Sequence, residues 1–149
     1  MLTHAFEGGY PDDDATAFAI HAVAALRRRR GEQLGIIEMP FYHAESNGWA
    51  TQQFSRQPDC PAVSIPLNDS ERRLKRRMLT AHATQRAILP AFHVELEYFR
   101  RAPAYDFATL PNQGQLLYER YDWDITGEDW LVHSRAALDE IGLAGDRWL

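Results

Sequence analysis

Only two or three short strands can be read in these 149 residues, and that shortage limits the fold more than any other feature. The run Leu34-Gly35-Ile36-Ile37-Glu38-Met39 reads as a short buried strand closed by Pro40. Ala62-Val63-Ser64-Ile65-Pro66-Leu67 reads as a second strand or edge segment. Between them, residues 41–62 form a long loop with room for one short edge strand. The order loop–helix–strand–loop–strand–helix–helix predicts an α/β fold. Its strands are nevertheless too few for an ordinary three-layer sandwich. Either further strands hide in the loops, or part of the fold lies elsewhere.

Three main helices are predicted. The first spans about 13–30, with Asp12 or Asp13 as its cap and three aspartates at the positive end of its dipole. Ala15, Phe18, Ala19, Ala22, Val23 and Leu26 repeat at helical spacing, and Arg27 to Arg30 precede a stop at Gly31. The second spans about 70–89. Asn68 and Glu71 have capping-box spacing, with Asp69 as a competing cap. Leu74, Met78, Ala81, Gln85 and Ile88 mark one face, and Pro90 ends the helix. Residues 91–99 suggest a further short helix, while 1–12 and 102–124 read as loops. The last helix runs about 127–141 from Thr126, with Trp130, Ala137, Leu138 and Ile141 as apolar positions. No repeat or linker divides the chain, so residues 1–149 read as a single domain.

Composition removes several function classes. The single cysteine, Cys60, makes no internal disulfide and no thiolate-rich zinc site. No apolar run approaches the roughly 20 residues of a membrane span. The first residues show neither a basic nor an apolar leader pattern, so the expected location is cytoplasmic. Net charge is −5, without the basic balance of a nucleic-acid binder. The basic clusters at Arg27–Arg30 and Arg72–Arg77 read as solvated helix surface. Fifteen of the 16 basic residues are arginine, which is compatible with a GC-rich bacterial genome.

The densest polar constellation is Glu7, Tyr10, Asp12, Asp13 and Asp14 around the Gly8-Gly9 turn. It has two readings: a helix start with dipole-matching carboxylates, or a metal or acid–base site. The six histidines are scattered, and no pair has the i, i+4 spacing of a helical metal motif. His21 shares a helix face with Asp14 and reads as a surface or core histidine. His4 lies six residues before Tyr10, in the same loop region. No Gly-x-Ser-x-Gly and no phosphate-cradling glycine pattern is present. Trp49, Tyr98, Phe99, Tyr118, Tyr121 and Trp123 serve packing or offer a surface on which a sugar stacks.

The stretch Thr3-His4-Ala5-Phe6-Glu7-Gly8-Gly9-Tyr10-Pro11-Asp12-Asp13-Asp14-Ala15 resembles the second metal-site motif of the LmbE-like, or PIG-L, zinc-dependent N-deacetylases. That motif reads roughly T-x-x-x-E-G-G-H-P-D-H-D-A and leads into a helix. Later stretches are similar in the same order: Lys75 through Gln85, then Glu97-Tyr98-Phe99-Arg100-Arg101-Ala102-Pro103-Ala104-Tyr105-Asp106-Phe107. The resemblance covers most of the chain and corresponds to the C-terminal half of such an enzyme.

The resemblance implies a partial Rossmann-like fold and hydrolysis of acetamido groups, commonly on N-acetylglucosamine-type sugars, by zinc-bound water. It places Asp12 in the role of a site-orienting aspartate. Tyr10 stands where the family has a histidine that handles a proton or the oxyanion, and Asp13 where it has a zinc-ligating histidine. A carboxylate can ligate zinc. A tyrosine hydroxyl, with an ordinary pKa of about 10, donates a hydrogen bond but shuttles protons poorly at neutral pH. The family's other motif, His-Pro-Asp-Asp after an apolar strand, supplies the remaining ligands and the general base, and nothing here matches it. Three expectations follow: a deacetylase fragment inactive alone, one piece of a split enzyme completed by a partner chain, or a non-catalytic descendant that binds a saccharide or protein. An unpaired inner strand also predicts self-association through an open sheet edge.

Overall fold

The computed structural model describes residues 1–57, 59–121 and 123–146, so Pro58 and Asp122 of the two predicted loops lie outside it. The predicted N-terminal loop contains a strand, β1 (Leu2–His4). Its backbone pairs in parallel with β2 (Ile37–Met39), and the helix α1 (Pro11–Arg29) joins the two. This is a βαβ unit, the connection parallel strands require. Pro11, rather than an aspartate, opens α1, and Tyr10 is the residue before it, in extended backbone with no side-chain cap. A proline suits the first helical position, because its missing N–H has no partner there anyway. Asp12, Asp13 and Asp14 therefore occupy the first turn instead of capping it, and Arg27 to Arg29 occupy the last.

The predicted 41–62 loop holds a two-stranded antiparallel hairpin, β3 (Tyr42–Glu45) and β4 (Gly48–Thr51). Next come β5 (Val63–Pro66) and α2 (Asp69–Ala81). The expected capping box is present: Asn68 accepts from the Ser70 and Glu71 amides, and Glu71 accepts from the Asn68 amide. Replacing Asn68 with alanine should cost about 1 kcal/mol, read as a lower urea midpoint. α2 ends at Ala81, eight residues before the predicted stop, and two 3₁₀ turns follow at Ala83–Gln85 and Leu89–Ala91.

The predicted short helix over 91–99 is replaced by a strand, β6 (Leu96–Arg101), which pairs with both β2 and β5. Its residues, Leu96-Glu97-Tyr98-Phe99-Arg100-Arg101, do not alternate strictly, and the strand is fixed by pairing on both of its sides. The described residues of 102–124 are irregular apart from two 3₁₀ turns, and α3 (Gly127–Glu140) starts from a Thr126–Asp129 capping box. The result is a mixed α/β arrangement with a four-stranded sheet in the order β1-β2-β6-β5. Among the described residues, no helix is long and apolar enough to cross a membrane.

The core lies between α1, α3 and the 105–107 segment. Phe6, Phe18, Tyr105, Phe107 and Trp130 interlock there, with Phe6 and Phe107 ring centres 4.5 Å apart. One sheet face, carrying Thr3, Glu38 and Arg100, is buried beneath α1. The opposite face carries Leu2, Ile37, Val63 and Ile65, all exposed. Neither β5 nor α2 contains a buried residue, and on α2 the apolar pair Leu74 and Met78 is 49% and 60% exposed.

Candidate functional site

The turn leading into α1 is held from two sides. Gly8 has φ +70, in the left-handed region that favours glycine. Gly9 packs directly on the hairpin, and a side-chain carbon there would overlap the Tyr42 carbonyl oxygen. Asp14, fully buried one turn into the helix, reaches back so that its Oδ1 accepts from the Glu7 and Gly8 amides, each at 3.1 Å. Gly9→Ala should cost about 1–3 kcal/mol in urea unfolding by forcing the hairpin away. Gly35→Ala, with nothing within 4 Å, is the control expected to change little.

This turn brings His4 and Asp13 together, with His4 Nε2 3.5 Å from Asp13 Oδ1 and both side chains part-exposed. Burial raises the Asp13 pKa, His4 opposes the rise and Asp12 adds to it. Asp12 is exposed beside them. Tyr10 leaves this corner to pack its ring against Trp123 at 5.0 Å, and Trp123 in turn stacks on Tyr121 at 4.9 Å and 15°. Of the sequence-predicted residues, Asp13 and His4 thus meet, Tyr10 joins an aromatic group at the rim, and the Asp12 carbonyl accepts from Thr16 Oγ1 while the Asp12 carboxylate acts on Asp13 through charge.

Zinc bonds to nitrogen and oxygen of about 2.0–2.2 Å in a tetrahedral shell separate neighbouring donors by roughly 3.4 Å. His4 Nε2 and Asp13 Oδ1 have that spacing and are the right donor types. They amount to two donors, however, and among the described residues no group of three His, Cys, Asp or Glu is arranged to hold a metal ion. The pair fits part of a zinc shell and does not complete one.

No family model, curated protein or solved structure matches the chain.

Beneath the corner lies a second polar cluster, which the sequence reading missed. Glu38 Oε2 accepts from Arg100 Nε and from the Tyr105 hydroxyl, each at 3.0 Å. Arg100 also donates to the Tyr105 oxygen at 3.0 Å and the Ser55 carbonyl at 3.2 Å, and it lies 4.1 Å over the Phe54 ring. His21 is fully buried on α1, its Nε2 3.7 Å from Glu38 Oε1. Glu7, also buried, accepts from the Ser55 amide at 2.6 Å and stands 4.0 Å from His43 Nδ1. Burial chiefly raises Glu7 to about 7 and lowers His43, so both tend toward their neutral forms. Glu7 and His21 stood out in the sequence singly; the signal for the cluster itself was Glu38, a lone charge within an apolar strand run. Such a residue in a buried strand needs a partner.

Proposed function

We propose that this chain supplies part of a zinc-dependent N-deacetylase acting on an acetamido sugar, in a Rossmann-like fold that other strands complete. The observation that carries the reading is the His4–Asp13 pair, two metal-type donors at shell spacing at the start of a helix. The βαβ unit and the exposed apolar sheet face beside the β1 edge support it, because both invite further strands and helices. In this reading His4 and Asp13 hold one side of the metal, and the missing donors come from a preceding segment or a partner chain. Bound zinc would supply an acidified water and polarise the amide carbonyl. Tyr10 and Trp123 offer apolar ring faces at the rim, and the Asp12 carboxylate sits next to the pair.

A second reading, a non-catalytic saccharide-binding descendant, is favoured by one feature. The Tyr10, Tyr121 and Trp123 rings form a continuous aromatic group, with Tyr121 51% exposed. Elemental analysis and Co²⁺ absorption spectra of the purified chain separate the two. The deacetylase reading expects weak metal uptake that His4→Ala and Asp13→Ala both abolish, with no acetate released from N-acetylglucosamine by the chain alone. Metal uptake unchanged by both substitutions would overturn it. Saturable sugar binding that is indifferent to added zinc and lost in Trp123→Ala would favour the second.

A further inference from the structure

The molecule has a groove that shares no lining residue with the motif at the start of α1, although Phe92 on its floor packs on Phe41, which packs in turn on His4. The groove lies between the last turns of α2 and the segment that follows the 3₁₀ turns, with a volume of about 570 Å³. That lies within the roughly 300–1,000 Å³ range of small-ligand pockets. Its floor is apolar: Leu79 from α2, Leu89 from the second 3₁₀ turn, Phe92 and the buried Val94. The far wall is fixed rather than floppy. Gln52 clamps His93 from both sides, its Nε2 donating to the His93 carbonyl at 3.2 Å and its Oε1 accepting the His93 amide at 2.7 Å. Thr51 Oγ1 donates to the Ala91 carbonyl at 3.0 Å. The hairpin therefore holds the floor in place before anything binds.

Two cations line this apolar space. Arg76 and Arg86 are exposed, and among the described residues neither guanidinium has an acidic partner. The acid that also lines the groove, Glu95, is otherwise engaged: it accepts from the Val94 amide at 3.0 Å and faces His93 at 4.0 Å. An apolar floor with two unpaired guanidiniums complements a molecule with an apolar body and one anionic end, because guanidinium binds carboxylate through paired donors.

We propose that this groove binds a small amphipathic carboxylate, of the fatty-acid type, with its tail on Leu79, Leu89, Phe92 and Val94 and its head on Arg76 and Arg86. The site is separate from the His4–Asp13 corner, and its test does not depend on metal or deacetylase activity.

Isothermal titration of the purified chain with dodecanoate below its micelle concentration tests this, with dodecanol and acetate as comparison probes. Saturable one-to-one binding of dodecanoate in the micromolar range is expected, with dodecanol weaker and acetate not detected. The double variant Arg76→Gln/Arg86→Gln should weaken dodecanoate by roughly tenfold or more and leave dodecanol unchanged. Leu79→Glu should abolish both by placing a charge on the floor. All three substituted side chains lie outside the core, so unchanged far-UV spectra and urea midpoints verify folding. The proposal is overturned by absent or non-saturable dodecanoate binding, by equal affinity for dodecanol, or by either variant binding like the parent.

Discussion

Arg100→Met is expected to destabilise the protein by about 3–5 kcal/mol, the cost of leaving a buried carboxylate without its partner. Glu38 is fully buried, and its Oε2 takes one hydrogen bond from Arg100 and one from Tyr105. Without the guanidinium, Glu38 must either stay charged in an apolar setting or take up a proton at a pH where carboxylates are normally ionised. The loss does not stop at Glu38. The Ser55 carbonyl loses its donor, and the Phe54 ring loses the cation above it. Against a typical domain stability of about 5–15 kcal/mol, this should populate the unfolded state measurably. Urea melts give the value. The double variant Glu38→Leu/Arg100→Met should be much less destabilised than the sum of the single ones, since replacing both partners removes the stranded charge. Strict additivity would show that the two residues act independently and would contradict the arrangement seen here.

The second large effect is a pH dependence at Glu7. Five titratable or charged groups act on it: Asp14, His43, Arg100, Glu38 and Tyr105. Burial is the main cause of its rise from 4.5 to about 7; the Ser55 amide and Arg100 pull it down, and Glu38 pushes it up. Between those two values the folded protein holds a proton that the unfolded chain has released. Stability is therefore lost as pH rises from about 4.5 and the loss is complete above about 7. The difference corresponds to about 3 kcal/mol. His43, lowered by burial, has the opposite slope below its ordinary value, so the raw curve is a composite. Glu7→Gln isolates the carboxyl, because an amide oxygen can still accept from Ser55. The variant should lie close to the parent at pH 5 and above it by about 3 kcal/mol at pH 8. A constant offset across that range would exclude a titrating Glu7.

Much of the helical framework was legible because its signals are local. The Asn68–Glu71 capping box and the Thr126 start of the last helix lie within a few residues of sequence, and both are present. Strands were less legible because pairing is not local. β1 is three residues long and is a strand only because β2 lies alongside it. β6 was read as a helix because Pro90 and the residues around Phe92 have no clear period, and the strand begins only at Leu96. Ile88 was assigned to the face of a long helix, yet it packs against the hairpin cluster of Tyr42, Ala44 and Leu117 after α2 has ended. At the site, the Gly-Gly turn and the carboxylates after it were visible in the sequence. The His4–Asp13 contact was not, because a nine-residue separation specifies no distance until the turn is folded. The Glu38–Arg100–Tyr105 cluster joins residues up to 67 apart, and no local pattern announces it.

The segment formed by β5 and α2 rests lightly on the rest of the molecule. Among the described residues its polar supports include one antiparallel ladder to β6, the Leu67 amide donating to the Glu95 carbonyl at 2.8 Å, and Lys75, which pairs with Glu97 at 2.7 Å and donates to the Leu96 carbonyl. No residue of its two elements is fully buried, whereas α1 is anchored by the aromatic core. The protein should therefore open in two cooperative units instead of one. The amide protons of Val63, Ser64 and Ile65 in β5 and those of Asp69–Ala81 should exchange through a low-energy opening that leaves α1 and α3 protected. One wall of the groove belongs to α2 and the other to the Leu89–Glu95 stretch that Thr51 and Gln52 hold, so an occupant bridging the two would slow that exchange and join them into a single cooperative unit.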